Sequence, residues 1–438
     1  MDDADKPFRL FEPTVTTRRD RTALAGIVFL VLFAQVLLYP GIDTLVDALG
    51  AETRLSASMW FLAVEYAAFV AFAVVWGALS DATGRRVPFV VCGALGGAVG
   101  YAVLAFVPVA TFETILLLRV FQGATTIGAF SLSITMLMDL PGGHGRNMGS
   151  AGIAIGGGTA LGAPVGGQLY EVGPLVPVTA AAGFFLLAAL LALVVDDRAP
   201  GERGASTTGA AKPASSTAPS DAARRSTSSR LGTGAVSAAL SGLARRPILL
   251  VPYAFGFVDR LTAGFFALVG TLYFREAFAL SPGETGLLLA CFFAPFALLQ
   301  YPFGKLSDRI GRVAPVLAGS TVYGLVVVLV GLAPTVWTAA AAMVGVGVVG
   351  ALMAPATMAL VTDLADETER GTAMAGFNVF GSLGFLAGVL VGGTVAGLFG
   401  YFAAFVVAGG IELVVVLLSL PTLSRLTVGT DGRTVAGD

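Results

Sequence analysis

The chain has 438 residues, of which 56% are hydrophobic and only 12% are charged, and its mean hydropathy is +0.84. Soluble domains carry about 25% charged residues, so this composition excludes a water-soluble enzyme, a disordered chain and a nucleic-acid-binding protein. It predicts a protein embedded in the lipid bilayer. The formal net charge of -2 gives no reason to expect a polyanionic partner. Cys92 and Cys291 lie far apart in apolar segments, so we expect no disulfide framework.

Apolar segments of about 20 residues, the length that crosses the hydrocarbon core at about 1.5 Å per residue, recur along the chain. We place twelve such spans near residues 22–40, 57–79, 88–107, 111–138, 148–170, 176–195, 247–274, 284–306, 314–333, 335–362, 371–398 and 400–420. The expected fold class is an all-α integral membrane protein, with twelve transmembrane helices in two pseudo-symmetric six-helix bundles. The bundles are 22–195 and 247–420, flanked by a tail (1–21), a linker (196–246) and a second tail (421–438).

The placement of Lys and Arg predicts the orientation, because short cytoplasmic loops retain basic residues. With the N-terminus inside, 22 of the 26 basic residues lie in cytoplasmic segments, and only Arg54 and Arg275 lie in outer loops. Arg119 and Arg260 fall inside predicted spans. We therefore expect a multi-pass protein of the cell membrane with both termini in the cytoplasm.

The linker is rich in Ala, Ser, Thr and Pro, and it has too few large apolar residues to build a core. We interpret it as a flexible cytoplasmic segment. In its last part, 231–246, the spacing of Leu231, Val236, Leu240 and Leu243 is compatible with a short helix on the membrane surface. An unstructured spacer is the equal alternative.

The two halves repeat each other's local sequence. Residues 77–88 read GALSDATGRRVP and residues 304–315 read GKLSDRIGRVAP, an offset of 227, and Asp139 recurs as Asp363. At an offset of 226, the fifth and eleventh spans share a glycine pattern, in which Gly158, Gly162, Gly166 and Gly167 match Gly384, Gly388, Gly392 and Gly393. Duplicated halves that pivot about a shared midplane site are the architecture of alternating-access transporters.

These motifs resemble those of the major facilitator superfamily across essentially the whole chain. The loop GxLSDxxGRR is that superfamily's most recognisable motif, and residues 119–123, RVFQG, are similar to its RxxQG motif. In the fifth span, the pattern resembles the antiporter motif of 12-helix drug:proton exchangers, on Gly149, Gly158, Gly162, Pro164, Gly166 and Gly167. Ala163 stands where that motif has proline. The resemblance implies exchange rather than symport.

The helix-five glycines recur at every fourth position, which brings one face of the helix close to a partner helix. We interpret them as a packing surface rather than a ligand site. The resemblance adds a role as a hinge or as a seal against leak.

The resemblance also implies that the two motif loops latch the halves together in the outward-facing state. The residues concerned are Gly77, Asp81, Gly84, Arg85, Arg86, Asp139, Asp308, Gly311 and Arg312. Their charges sit at helix ends, where they complement helix termini and where a carboxylate can pair with an arginine. The alternative is that Gly84 makes a tight turn and the basic residues merely retain the loop inside.

Charged residues inside the spans are the best functional evidence, because a charge in the bilayer is costly unless it is paired or faces water. Glu65 and Arg119 each lie roughly 12 Å below the outer surface, so they can meet across the N-terminal half. Asp259 and Arg260 point about 100° apart near the middle of the seventh span, so they do not share one partner. All four are predicted to couple protons, with a permanent Glu65 to Arg119 ion pair as the alternative. Glu412, on a helix that is peripheral in the resembled fold, is expected to be a packing feature.

Drug exchangers of the resembled family often carry an acid in helix one, where this chain has only Gln35. The side chains expected to line a substrate cavity are Gln35, Tyr39, Tyr66, Phe69, Gln122, Phe255, Phe266 and Asn378. Aromatic residues on membrane helices more often pack than bind ligands, so the cargo stays open.

The sequence therefore predicts a secondary active transporter, with proton-coupled efflux of small amphipathic or metabolite-like compounds as the leading function. A facilitator or symporter of sugars or organic acids is the alternative within transport, and a transporter-shaped sensor is the alternative from another class. We expect no enzymatic activity, no cofactor and no metal, since the single histidine, His144, lies in a loop. The expected partners are a small-molecule substrate, protons and lipid, without nucleic acid, and the chain is expected to be a monomer.

Overall fold

The computed structural model describes residues 15–51, 54–107, 111–141, 144–197, 243, 246–366 and 369–431. Every regular element in these ranges is a helix. The predicted linker beyond Asp197 and the predicted surface helix over 231–246 lie outside the described residues, apart from Leu243 and Arg246.

The N-terminal half contains seven helices: α1 (Val15–Val36), α2 (Ile42–Ala48), α3 (Arg54–Thr83), α4 (Val87–Phe106), α5 (Phe112–Asp139), α6 (His144–Val172) and α7 (Val176–Ala192). The C-terminal half begins with a 3-10 turn (Pro247–Leu249) and α8 (Leu250–Phe265), which continues through a π-helical turn (Phe266–Gly270) into α9 (Thr271–Ala277). It ends with α10 (Pro282–Ile310), α11 (Val313–Gly331), α12 (Val336–Leu364), α13 (Arg370–Phe399) and α14 (Tyr401–Asp431).

Within the described ranges, nine segments are long and apolar enough to cross a membrane: α3, α4, α5, the continuous stretch Pro247–Ala277, and α10 to α14. α7 is apolar but shorter, and α1 and α6 coincide with the first and fifth predicted spans. The all-α membrane fold expected from the sequence is confirmed.

Some helix bounds differ from the predicted spans. α1 begins at Val15 rather than 22, and α14 continues to Asp431 rather than 420, so both helices enter the predicted tails. Apolar length reports the part of a helix that lies in hydrocarbon, whereas backbone hydrogen bonds continue the helix into polar sequence. The short helix α2 was not predicted, because its seven residues are too few to show a period.

Equivalent pairs of helices pack in the two halves. α1 packs on α6 and α7 as α8 packs on α13 and α14, and α3 packs on α5 as α10 packs on α12. Across the halves, α6 packs on α10 and α13 packs on α3. The sequence repeat is therefore also a repeat of helix packing.

Glycines bring α6 against α1 and α13 against α8. A methyl group at Gly166 would lie 2.1 Å from the carbonyl oxygen of Leu37, and one at Gly384 would lie 2.0 Å from that of Phe257. Lipid supplies no hydrophobic drive for helix association, so such backbone contact, with its van der Waals attraction, holds the helices together. The other α6 glycines of the repeat that face α1 are Gly158 and Gly162.

Gly388→Ala is expected to destabilise the C-terminal half, because its methyl group would lie 2.0 Å from the backbone oxygen of Leu261. Overpacking of this kind costs about 1–3 kcal/mol. The measurement is the thermal unfolding temperature of the purified protein in detergent. Gly371→Ala, on the same helix with no neighbour within 4 Å, is the matched control. Equal unfolding temperatures for the two variants would contradict the packing role.

Candidate functional site

The two halves meet along an interface whose two ends differ. We call the space between their facing helices the pathway. We call the end that carries the loops 84–86 and 311–312 the motif end, and the end that carries α2 and the turn between α9 and α10 the opposite end.

At the opposite end, α6 touches α10 of the other half through backbone. A methyl group at Gly167 would lie 2.4 Å from the carbonyl oxygen of Pro282, and one at Gly286 would lie 2.4 Å from that of Ala163. Pro164, inside α6, lies beside the same glycine of α10. No side chain separates the helices here, so the contact closes this end.

The symmetry-related contact, between α3 and α13, is made by side chains. The ring of Tyr66 stacks on that of Phe385 with the centroids 4.1 Å apart, and its hydroxyl lies 2.5 Å from the hydroxyl of Tyr39. Nearer the opposite end, Met59 packs against Gly393, where a methyl group would lie 2.8 Å from the sulfur. These contacts join α3 and the turn that follows α1 to α13 of the other half.

Toward the motif end, the same helix surfaces separate. A methyl group at Gly77 on α3, at Gly149 or Gly152 on α6, or at Gly371 on α13 would meet no atom within 4 Å. Tyr301, one turn beyond Ala297 on the α10 face that packs on α6, is 72% exposed. The structure is therefore closed at the opposite end and open at the motif end.

Two polar contacts also join the halves at the opposite end. Nε of Arg275 on α9 lies 2.6 Å from Oδ2 of Asp43 on α2, and the same guanidinium donates to the Thr44 hydroxyl at 2.9 Å. The Gly283 amide donates to Oε1 of Glu171 at 2.9 Å. This hydrogen bond lowers the pKa of Glu171, so the carboxylate stays ionised at neutral pH and the contact weakens only in acid.

Each of the two motif loops begins with a glycine of positive φ, but the loops differ in length. Gly84 and Gly311 have φ of 67° and 86°, a left-handed conformation that ends α3 and α10 and favours glycine. The first loop has one more residue, so Arg86 rather than Arg85 stands immediately before α4, as Arg312 stands before α11.

The arginine that stands immediately before the next helix is the one that forms the ion pair at each loop. Arg86 pairs with Asp139 at 2.6 Å, and Arg312 pairs with Asp363 at 3.3 Å, while the side chain of Arg85 is 74% exposed. Arg312 also pairs with Asp308. Its first-half counterpart, Asp81, has no ion-pair partner in the part of the chain that the structure describes.

Glu65 and Arg119, the pair predicted to meet, form a buried ion pair inside the N-terminal half. Their exposed fractions are 2% and 1%. Arg119 also donates to the Phe61 carbonyl at 3.1 Å and to Oε1 of Gln122 at 2.6 Å. The Tyr101 hydroxyl donates to the second Glu65 oxygen at 3.0 Å. This network joins α3, α4 and α5 and does not border the open motif end, and sequence reasoning missed Tyr101.

Asp259 and Arg260 lie midway along α8 and face different surroundings. The Arg260 side chain is 48% exposed and lies against Gly381 of α13, whose added methyl would be 3.2 Å from its Cγ. It also interacts electrostatically with Tyr66 of the other half, so it faces the pathway. The Asp259 side chain is 12% exposed, and its Oδ2 lies 3.8 Å from Nε of Arg260, a loose ion pair.

Three of the predicted cavity residues are corrected by the structure, which packs them away from the pathway. Gln122 accepts its hydrogen bond from Arg119, Phe255 packs in the C-terminal half beside Val316, and Phe266 packs on Phe405. All three predicted residues are fully buried. A residue's type does not report its angular position on the helix, and that angle decides whether the side chain faces the pathway.

The other predicted cavity residues lie at or near the pathway. Tyr39 and Tyr66 form the contact across the halves, and Phe69 lies beside Tyr66. Asn378 is exposed on α13. Gln35, on the last turn of α1, is buried, and neither amide atom has a hydrogen-bond partner among the described residues.

Comparison with known proteins places the chain in a family. A family model described as Major Facilitator Superfamily matches residues 24–272 and 253–434. The chain belongs to the major facilitator superfamily. Members of this family are transporters, so a small-molecule cargo and a membrane location follow.

Relatives and solved structures agree with this assignment. The chain is 27% identical over 360 residues to the class G tetracycline resistance protein of Vibrio anguillarum, covering 81% of this chain and 84% of that protein. It is 28% identical over 174 residues to an uncharacterized MFS-type transporter of Methanocaldococcus jannaschii, covering 39% of this chain but only 44% of that one. A bacterial homolog to the human lysosomal transporter Spinster, solved in an inward-facing and unoccupied conformation, is similar with a TM-score of 0.71 at 13% identity, covering 94% and 96% of the two chains.

Arg275→Gln is expected to loosen the opposite end, because it removes the charge that pairs with Asp43 across the halves. The measurement is the rate at which a thiol reagent labels a cysteine at Met59, in a background with Cys92 and Cys291 replaced by serine. Arg54→Gln is the control, since Arg54 pairs with Asp47 at the same end but within one half. Labelling no faster in Arg275→Gln than in Arg54→Gln would refute the gate.

Glu65→Gln is expected to lower stability strongly, because it leaves the Arg119 charge buried without a counter-charge. Breaking a buried pair in this way costs about 3–5 kcal/mol. The readout is thermal unfolding in detergent. The double variant Glu65→Gln, Arg119→Gln removes the orphaned charge and should unfold at a higher temperature than the single variant. A single variant as stable as the unmodified chain would show that the pair does not hold these helices.

Proposed function

We propose that this chain exports small amphipathic or metabolite-like compounds in exchange for protons, by alternating access. The observation that carries the proposal is Asp259, a partly exposed carboxylate midway along a helix that borders the pathway, held only loosely by Arg260. A relative named for tetracycline resistance aligns over most of both chains, which favours efflux.

Alternating access is supported by the distribution of contacts between the halves. The backbone contacts of α6 with α10 and the side-chain contacts of α3 with α13 close the opposite end, while the same faces diverge toward the motif end. Rocking one half against the other about these contacts would open the first end and close the second. The distribution of basic residues favours a cytoplasmic motif end, so under this proposal the structure is inward-facing.

The proton role falls to Asp259 rather than Glu65. An ionised carboxylate inside the membrane is costly unless it is paired or hydrated. Glu65 is fixed by Arg119 and Tyr101, so protonating it would break a satisfied network. Asp259 has one ion pair at 3.8 Å and some exposure, so gaining or losing a proton costs it much less. Glu65 and Arg119 then serve to hold α3, α4 and α5 together.

The motif loops act as the latch of the other state. In the open motif end, Asp81 has no described ion-pair partner, whereas Arg86 and Arg312 are held by carboxylates of their own halves. When the motif end closes, Asp81 becomes available to the C-terminal half. The first residue to test as the latch is therefore Asp81, with the two arginines fixing the loops that carry it.

We also propose a domain organisation, a membrane orientation and a functional unit. We assign the bundles to residues 22–195 and 247–420, joined by a cytoplasmic linker, with both termini on the cytoplasmic side. The functional unit in this proposal is a monomer, because each half supplies one wall of the same pathway.

Symport of an organic acid is the second candidate, and one observation favours it. The exposed guanidinium of Arg260 is a cation on the pathway wall, and a guanidinium recognises carboxylates with two parallel hydrogen bonds. An organic acid whose carboxylate pairs with Arg260 would replace the Arg260 to Asp259 ion pair. Asp259 would then lose its counter-charge and favour its protonated form, so the acid and the proton would move together.

Asp259→Asn is expected to abolish proton movement coupled to transport, because the amide cannot exchange a proton. The measurement uses the purified chain in lipid vesicles with an internal pH dye, and it tests tetracycline, ethidium and 2-naphthoate one at a time. Glu113→Gln, an exposed acid at the start of α5, is the control.

The direction of proton movement separates the candidates. Protons that move opposite to the compound, in the unmodified chain and in Glu113→Gln but not in Asp259→Asn, support the exporter. Protons that move with 2-naphthoate support symport instead. No proton movement with any of the three compounds, or full coupling in Asp259→Asn, would overturn the proposal.

A further inference from the structure

A second group of buried polar side chains lies in the C-terminal half, away from the contact between the halves. It comprises Glu412 on α14, Ser320 and Tyr323 on α11, and Thr262 on α8. The sequence led us to expect that Glu412 was a packing feature. The structure instead buries this carboxyl group against α11, in a part of the half where several polar side chains are buried.

The group is buried and incompletely hydrogen-bonded. Glu412 is 1% exposed, Tyr323 is 0% exposed and Thr262 is 1% exposed. Neither carboxyl oxygen of Glu412, nor the hydroxyl of Tyr323 or Thr262, has a hydrogen-bond partner among the residues that the structure describes. Buried polar atoms are normally satisfied, so several unsatisfied ones in one place need an explanation.

The side chains face one another. Glu412 lies against α11, since its Cβ would be 3.1 Å from a methyl group at Gly324. Ser320 interacts electrostatically with Glu412, and Thr262 with Tyr323, but neither pair forms a hydrogen bond of normal geometry. Thr262 and Asp259 are three residues apart on α8, so they lie on one face of that helix.

Asp259 connects this group to the pathway. It interacts electrostatically with both Tyr323 and Glu412, and on its other side it meets the exposed Arg260. Other charged groups are distant along these helices: α13 carries only Arg370 at its first residue, and α11 carries none between Val313 and Gly331. Asp259 and Tyr323 are therefore the titratable groups that face Glu412.

The charge state of Glu412 follows from these surroundings. An ionised carboxylate without a partner in an apolar interior is costly, and no ion pair is recorded for this one among the described side chains. The neutral acid avoids that cost, because its O–H group carries no charge to be desolvated. Glu412 is thus a carboxylic acid in this state.

We propose that Glu412 is a second proton-binding site, loaded from Asp259 through the Tyr323 hydroxyl. The protonated Asp259 gives its proton to the Tyr323 oxygen while the Tyr323 hydroxyl proton passes to the Glu412 carboxylate. One proton moves from Asp259 to Glu412, and no charge is left on the tyrosine. The inference rests on the proposed function only in taking Asp259 as the group that exchanges protons with the pathway.

Infrared difference spectroscopy of the full-length protein in lipid nanodiscs tests the proposal without any transported compound. A protonated carboxyl group has a carbonyl band that a carboxylate lacks. The unmodified chain should show this band at neutral pH, Glu412→Gln should lose it, and Glu113→Gln should keep it. The band should disappear as pH is raised stepwise, because a proton-exchanging acid titrates.

Tyr323→Phe separates a relay from a merely buried acid. It keeps the aromatic ring and removes the hydroxyl, so the band should remain while its loss after a jump to high pH slows by at least tenfold. A band unaffected by Glu412→Gln, a band that never titrates, or an unchanged rate in Tyr323→Phe would each overturn the proposal. Failure of the vesicle assay with an intact, titrating Glu412 band would count against proton-coupled transport and not against this site.

Discussion

The structure depends on close backbone contact at glycines. α6 and α13 each carry two glycine surfaces: Gly166 and Gly384 contact the backbone of their own half, while in the other half Gly167 meets the backbone of Pro282 and Gly393 meets the Met59 side chain. In a bilayer, where apolar side chains gain nothing by leaving lipid, these contacts supply much of the attraction between helices. Because each of the two helices belongs to both interfaces, movement between the halves is transmitted into the packing within each half.

The two halves differ in how well their buried charged side chains are paired and hydrogen-bonded. The Glu65 and Arg119 pair is enclosed and hydrogen-bonded on both sides, which suits a permanent brace. Asp259 and Glu412 are less well satisfied, and they lie in the other half. The two pseudo-symmetric halves have therefore diverged in their polar interiors while keeping the same helix packing.

Much of this architecture could be predicted from the sequence. Apolar length located the spans, and the equal depth of Glu65 and Arg119 predicted that they could meet. The facing of single side chains could not be predicted, as Phe255 and Phe266 show, because a rotation of one residue position turns a side chain by about 100°. Contacts between the halves, such as Arg275 with Asp43 and Tyr66 with Phe385, have no local signal, since the residues are more than 200 positions apart.

The central claim is that the halves move as two bodies about their glycine-lined contacts. Electron spin resonance tests it through two distances: one between labels at Ala48 and Ala277 at the opposite end, and one between labels at Ala82 and Arg309 at the motif end. All four positions are exposed. When Arg275→Gln is added, the opposite-end distance should lengthen while the motif-end distance shortens. A change at one end without the reverse change at the other would contradict the account.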